Sequence, residues 1–285
     1  MLKKYLLIFF LTLIFAAGIS GVLGCRKRPA GEISVHFIDV GQGDAILIKT
    51  PEGDALIDSG EFSARDKLFG YLREEGVTGL RLLVATHPHS DHIGNMAEVV
   101  EKLPVTNVMM PRVVHTTKTF EMFLDALEAK NLKIKAPVAG DTFGLAGDSA
   151  LSFTVLAPVS EEYDDLNNYS VVLKMVYGNV TFLFMGDAER ISENEILAAG
   201  GRGLRADVLK LGHHGSSSSS SREFLDAVLP RCAVISCGAG NDYGHPHAET
   251  LRALDERGIT VYRTDLDGTI VMTTDGVSVQ VQLEK

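Results

Sequence analysis

Tryptophan is absent from this 285-residue chain, and only three residues are cysteine. Cys25 stands near the start, while Cys232 and Cys237 bracket "CAVISC", which reads as a strand. Five steps along a strand separate two Cα atoms by ~16 Å, far beyond disulfide reach. The pair is therefore expected to pack as small hydrophobes, and no CxxC metal pattern appears. A basic surplus is also missing: 27 Lys and Arg face 37 Asp and Glu, a formal net charge of −10. An acidic body does not hold polyanions by bulk charge, so any such ligand needs local cations or metal ions. What is present is ordinary: 45% hydrophobic and 22% charged residues describe a globular chain long enough to fold without disulfide staples.

Residues 1–24 read as a separate object. Lys3 and Lys4 precede an apolar run from Tyr5 to about Ala17, and small residues lead to Cys25. That is the charged, apolar and small-residue order of an export signal. "VLGC" at Val22–Cys25 also resembles a bacterial lipobox, which makes Cys25 a candidate lipidation site and puts the remainder outside the cytoplasm. Plain secretion and an uncleaved anchor are the alternatives, since Tyr5 to Leu23 is about long enough to span a bilayer. No channel-forming apolar segment follows residue 25.

Beyond Gly31, short β-branched runs alternate with helical stretches. "ISVHFIDV", "DAILIKT" and "DALIDSG" read as strands, and "LRLLVATH" as a strand buried on both faces. "SVVLKMVYG" and "VTFLFMGD" flank Gly178-Asn179, a hairpin signal. "VSVQVQL" alternates strictly, as a half-exposed edge strand does. Strands with interspersed helices recur in both halves without a long linker, so residues 32–285 read as one domain of two stacked sheets with helices outside.

The chemistry concentrates in "THPHSDHIGN", where His87, His89, Asp91 and His92 crowd six consecutive positions. His87 and His89 are two apart after a strand, so an extended backbone points both imidazoles the same way. Such crowding is favourable around a borderline cation such as Zn²⁺, Mn²⁺ or Fe²⁺. "FLFMGDAE" delivers Asp187, and "DVLKLGHHGS" delivers His213 and His214, each at the end of a very apolar strand. Ligands at the C-terminal ends of interior strands are the usual site position in α/β folds.

Together with "HFIDVGQGDAILI", "LIDSG", "NNYSVVL", "GNDYGHPH" and "TDLDGTI", these stretches resemble the metallo-β-lactamase fold superfamily. Within it, the chain resembles exported hydrolases related to the C-terminal domain of ComEC-type DNA-uptake competence proteins. The resemblance implies a four-layer αββα sandwich with two divalent metal ions, Zn²⁺ or Mn²⁺, at one sheet edge. Carried over by motif, His87 and His89 would hold the first metal, and Asp91, His92 and His213 the second, with Asp187 bridging. His214 is the alternative to His213. Asp58 of "LIDSG" would orient ligands from behind. One departure is that no motif histidine lies between "THPHSDH" and Asp187 to complete the first site. His115 is expected on the surface, and Asn167, Asn168 and Ser170 stand in the expected place, offering a weaker oxygen donor.

Two metals ~3.5–4 Å apart suit phosphodiester hydrolysis by a metal-held hydroxide. In "HHGSSSSSSREF", Ser220 and Glu223 read as a capping box, so N–H groups and hydroxyls such as that of Ser216 would face an anionic substrate, DNA or nucleotides, beside the metals. Asp91 and His245 are the candidate catalytic residues, His245 as donor to the leaving group. His247 is expected to cap a helix, and His36 to pack in the core or at an edge. The competing readings are hydrolysis of a lactone, thioester or β-lactam, and a non-catalytic binding protein of the same fold.

Overall fold

A computed structural model describes residues 31–145, 150–200 and 203–285. Residues 1–24, read as an export signal, and Cys25 lie outside the described residues, as does any lipid attachment there. The chain runs β1 (Ile33–Phe37), β2 (Ile46–Lys49), β3 (Asp54–Ile57), α1 (Arg65–Glu74), β4 (Leu80–Val84), α2 (Ser90–Ile93), α3 (Met96–Lys102), β5 (Val105–Met109), α4 (Lys118–Ala129) and β6 (Ile134–Lys135). It continues through β7 (Thr142–Phe143), β8 (Leu151–Ala157), β9 (Val172–Tyr177), β10 (Val180–Phe184), α5 (Arg190–Gly200), β11 (Val208–Lys210), α6 (Arg222–Val228) and β12 (Cys232–Ile235). It ends with α7 (Ala248–Asp255), β13 (Thr260–Arg263), α8 (Thr264–Asp267), β14 (Ile270–Thr274) and β15 (Val279–Leu283).

Two mixed sheets form. One has the order β15-β14-β1-β2-β3-β4-β5-β6, the other β13-β12-β11-β10-β9-β8-β7. Alternation in the sequence decides which face of each strand goes inward. Val35, Phe37, Ile48 and Val84 meet Phe153, Val155, Leu173, Phe182 and Phe184 in a core between the sheets. The outer faces bury their own apolar sets: Leu47, Leu56 and Leu83 pack against α1, α3 and α4, and Leu183, Leu209 and Ile235 against α5, α6 and α7. This is the αββα sandwich expected from the sequence. At the sheet margin, β15 turns Gln280 and Gln282 to solvent while Val279 and Val281 stay in the core. Among the described residues, no helix is long and apolar enough to cross a membrane.

Cys232 and Cys237 are free and buried, and burial pushes both thiols up to about 12, so they behave as small hydrophobes. The hairpin forms at Gly178, where φ is +59° and an added Cβ would lie 2.5 Å from the Gly276 carbonyl. Only glycine fits that approach.

His36 lies within β1 and is buried, its ring bonded to Ser34 Oγ and Tyr71 Oη at 2.7 Å each. Burial, with help from Lys49, lowers its pKa to about 4. Between pH 6.5 and 4 the unfolded chain takes up a proton at this position that the folded chain refuses, so stability falls as pH falls. A gap from 6.5 to about 4 corresponds to about 3 kcal/mol. Urea unfolding at pH 7 and pH 4.5 should show His36→Gln losing about 2–3 kcal/mol less than the wild type across that span. An equal loss would assign the acid sensitivity to other groups.

Candidate metal centre

β4 runs parallel to β3 and β5, and β10, β11 and β12 run parallel to one another; these strands end at one edge, where their following loops meet. After β4 the backbone bends at His87, His89 is the extended residue at the N-terminus of α2, and Asp91 and His92 lie in its single turn. β10 releases Asp187, and β11 releases His213 and His214. Both histidines hold left-handed backbone, with φ of +46° and +53°. That conformation is unfavourable for a side chain with a Cβ and marks a place where the surroundings dictate the geometry.

The donor atoms converge on Asp187. Its Oδ2 lies 3.2 Å from His92 Nε2, 3.3 Å from His214 Nε2 and 3.9 Å from His87 Nε2. Asp91 Oδ2 is 3.2 Å from His214 Nε2 and 3.7 Å from His92 Nε2. One donor atom from each of Asp91, His92, Asp187 and His214 falls within 4.8 Å of the others. Beside this group, His87 Nε2 and His89 Nδ1 are 3.0 Å apart.

The structure reverses the order of the two late histidines. His214 enters the cluster, while His213 turns its Nδ1 to Glu189 Oε1 at 2.9 Å. The preference for His213 assumed that the residue directly after the strand loop faces inward. The left-handed turn at both histidines swaps the two side chains.

His92 and His214 are oriented from behind. His92 Nδ1–H donates to Asp58 Oδ2 at 2.8 Å, and the same carboxylate accepts from Thr86 N and Thr86 Oγ1. His214 Nδ1–H donates to the Ser236 carbonyl at 2.9 Å. These bonds fix the tautomer that leaves Nε2 bare toward the cluster. Behind His214 lies a pair that the sequence reading missed. Asp44 Oδ1 is 3.5 Å from His214 Nδ1, and Asp44 Oδ2 is 2.8 Å from Lys210 Nζ, all fully buried. The available signal was a lysine inside the otherwise apolar run "DVLKLG", since a buried ammonium needs a carboxylate partner. Lys210 and its companions outweigh burial and hold Asp44 at about 2. Gly43 permits this loop to close, because a Cβ there would stand 2.2 Å from the Asp91 carbonyl.

The electrostatics match a cation site. Burial disfavours charge on His92 and His214, yet the carboxylates around them raise both well above the usual imidazole range, Asp187 foremost. The same imidazoles outweigh burial and hold Asp187 well below the usual carboxylate range. His92 Nε2, His214 Nε2 and Asp187 Oδ1 are nonetheless buried without any hydrogen-bond partner. Buried polar atoms are normally satisfied. Three unsatisfied donors aimed at one space, of imidazole and carboxylate type, fit a divalent cation that replaces protons.

Other expected site residues fall elsewhere. Asn168 does not face the cluster: its Oδ1 accepts from Glu189 N, Ser192 N and Ser192 Oγ, capping the start of α5. It therefore offers no oxygen to the His87–His89 group. Ser170 Oγ instead accepts from Asp187 N at 3.0 Å and lies 3.4 Å from His87 Nδ1, so it supports both. Ser216 Oγ bonds Ser218 Oγ and Ser218 N within the serine turn and does not line the cleft. The expected anion cradle is filled by the protein. Ser220 N and Ser221 N donate to Glu193 at 2.5 and 2.9 Å, and Ser221, one residue later than read, caps α6. An internal carboxylate takes the place foreseen for phosphate.

A cleft of about 300 Å³ opens onto the cluster, lined by Gln42, His89, Ser90, Asp91, His115, Thr117, Asp187, His213, His214, Tyr243 and His245. His115 thus belongs to the cleft wall rather than to a distant surface, with its ring 6.2 Å from that of His89. His245 also lines it, but burial and the neighbouring His213 and His214 lower its pKa to about 4, so it is neutral at pH 7. A neutral imidazole is a poor proton donor, which speaks against the leaving-group role foreseen for it. His247 sits at the N-terminus of α7 without a side-chain capping bond, and its Nδ1 accepts from Ser217 N instead.

The sequence pattern of the metallo-beta-lactamase superfamily matches residues 38–239. The chain belongs to that superfamily. It is 33% identical over 259 residues to "ComE operon protein 3" of Bacillus subtilis (strain 168), covering 85% of this chain and 33% of that protein. It is 31% identical to "Competence protein ComA" of Neisseria gonorrhoeae, covering 85% and 32%. The chain therefore spans about a third of the length of these relatives. "Probable metallo-hydrolase YqgX" of Bacillus subtilis is 25% identical, with 81% and 94% covered. Among solved structures, the metallo-beta-lactamase fold protein YhfI from Bacillus subtilis superposes with a TM-score of 0.59 at 15% identity, covering 86% of this chain and all of that one. Igni18 from Ignicoccus hospitalis gives 0.58 at 16% identity, covering 84% and 98%. These likenesses establish the fold.

Zinc titration followed by calorimetry separates the two late histidines. His214→Ala should weaken the tighter of the bound ions by more than about 100-fold, the upper range for losing a mere supporting contact, while His213→Ala leaves affinity near that of the wild type. The opposite ranking would restore His213 as the ligand.

Proposed function

We propose that this protein is a metal-dependent phosphodiesterase that acts outside the cytoplasm on DNA or nucleotides. The carrying observation is the position of Asp187, whose Oδ2 lies between the His87 side and the His92–His214 side at 3.2 to 3.9 Å. A carboxylate so placed suits two cations, one beside His87 and His89, the other beside Asp91, His92 and His214. When bound, such a pair supplies charge neutralisation and activation of water for an in-line displacement.

The chain's own part is preorganisation. Asp58 and the Ser236 carbonyl hold His92 and His214 in one tautomer, and Ser170 steadies Asp187 and His87. Imidazoles and Tyr243 wall the cleft that opens onto the cluster. The Glu189 carboxylate holds His213 Nδ1, which leaves that ring as a fixed group at the cleft wall. Relatives named for competence support a DNA or nucleotide substrate over a β-lactam. The charged and apolar pattern of residues 1–24 supports export, with attachment to a membrane through Cys25.

The test loads the purified protein with Mn²⁺ or Zn²⁺ and assays bis(p-nitrophenyl) phosphate, DNA and nitrocefin in parallel. Diester turnover is expected, with Asp187→Ala lowering it about 10³-fold, the consequence of losing several kcal/mol of metal-based stabilisation. Nitrocefin turnover without diester turnover would move the assignment to another bond, and full metal occupancy with no turnover would favour a binding role.

A further inference from the structure

The motif "GNDYGHPH" contributes more to the cleft than its histidines. Tyr243 lines the cleft mouth and is 66% exposed, a large aromatic ring left in solvent beside a buried polar cluster. Its loop is not loose. Asn241 Nδ2 donates to the carbonyls of Gly238 and His245, Asn241 Oδ1 accepts from His245 N, and His247 Nε2 lies 3.3 Å from the Tyr243 carbonyl. His245 lies nearly parallel to the tyrosine ring, 5.6 Å between centroids and 20° between planes. One face is thus covered, and the exposure of the residue leaves the other bare.

Charge narrows what that face is for. No Lys or Arg is among the described residues lining the cleft, and the chain as a whole is acidic. The described lining therefore offers a nucleic-acid strand no ion pairs to its phosphates, which is how basic proteins obtain most of their affinity. Stacking on an aromatic ring is the alternative source, and it is independent of sequence because every base has a π-face. Next to the ring, Gln42 uses its Oε1 to accept from Gly238 N, which leaves its amide hydrogens for other partners such as the acceptors on a base edge. A base within a duplex has both faces occupied by its neighbours.

We propose that Tyr243 is a stacking platform for an unpaired nucleobase, and that the substrate enters the cleft as a single strand. The inference rests on the phosphodiesterase reading and names the strand form that this site accepts. Tyr243 orders the substrate through its base, leaving the bond-breaking groups of the cluster untouched.

The experiment compares wild type, Tyr243→Phe and Tyr243→Ala, all loaded with Mn²⁺, on decathymidylate and on a decamer of the same backbone lacking bases. One stacked base is worth about 1–3 kcal/mol, so Tyr243→Ala should raise KM for decathymidylate roughly 5- to 150-fold. Its kcat should stay within about twofold, as for lost binding that is uniform along the reaction. Tyr243→Phe should match the wild type, and the base-free decamer should show no dependence on residue 243. An unchanged KM in Tyr243→Ala, or an equal loss on the base-free decamer, would overturn the stacking role while leaving the phosphodiesterase reading intact. Should the wild type cleave no diester, that reading fails by itself. Fluorescence anisotropy of labelled decathymidylate on the same proteins then decides the platform: binding weakened by Tyr243→Ala supports it, and binding absent or unaffected refutes it.

Discussion

Asp187 carries its carboxylate to a place only 2% exposed, where three imidazoles and a second carboxylate converge and several of their polar atoms have no partner within the protein. Desolvating that many ionisable groups is costly unless a compensating charge occupies the gap between them. Much of the surrounding architecture serves this constraint. Parallel strands bring the ligand-type residues to one edge, and left-handed turns at Asp58, His213 and His214 set their directions. A ring of buried hydrogen bonds from Asp58, Thr86, Ser170 and Ser236 then prevents the side chains from finding other partners.

The second ring is polar and expensive in its own right. Lys210 is fully buried in β11 and depends on Asp44. Removing either partner would strand a charge in the core, so the pair ties the loop after β1 to the strand that delivers His214. Glu193 plays the same part for the serine-rich turn, its two carboxylate oxygens accepting from backbone N–H groups at the start of α6. Burial raises its pKa despite those bonds. A turn that reads as an open anion site is thereby closed and converted into a rigid support for the loop carrying His213 and His214.

The cleft that results has an unusual balance. Its lining is acidic and histidine-rich, and among the described residues that line it there is an exposed aromatic ring and no Lys or Arg. Under the proposed function, affinity for a phosphate-bearing substrate comes from metal ions at the floor and from stacking at the rim. That division also separates two kinds of residue: His87, His92, Asp187 and His214 are buried, while Tyr243 is exposed on a hydrogen-bonded loop.

The amino-acid sequence by itself determined the sandwich and the membership of the cluster. Alternation assigned the inner face of β15, and the apolar runs before His87, Asp187 and His213-His214 announced interior strands that end in polar groups. These are local signals, because side-chain direction along a strand follows from its period of two. What the sequence left undecided depended on backbone turns and on distant partners. Which of two adjacent histidines faces inward hinged on left-handed dihedrals that the residues do not advertise. That Asn168 caps α5, that Glu193 fills the serine turn and that Asp44 meets Lys210 are pairings across 20 to more than 160 residues, set by how the two sheets stack. Only the folded chain brings such groups within hydrogen-bond distance, and that distance is what selects a role for each.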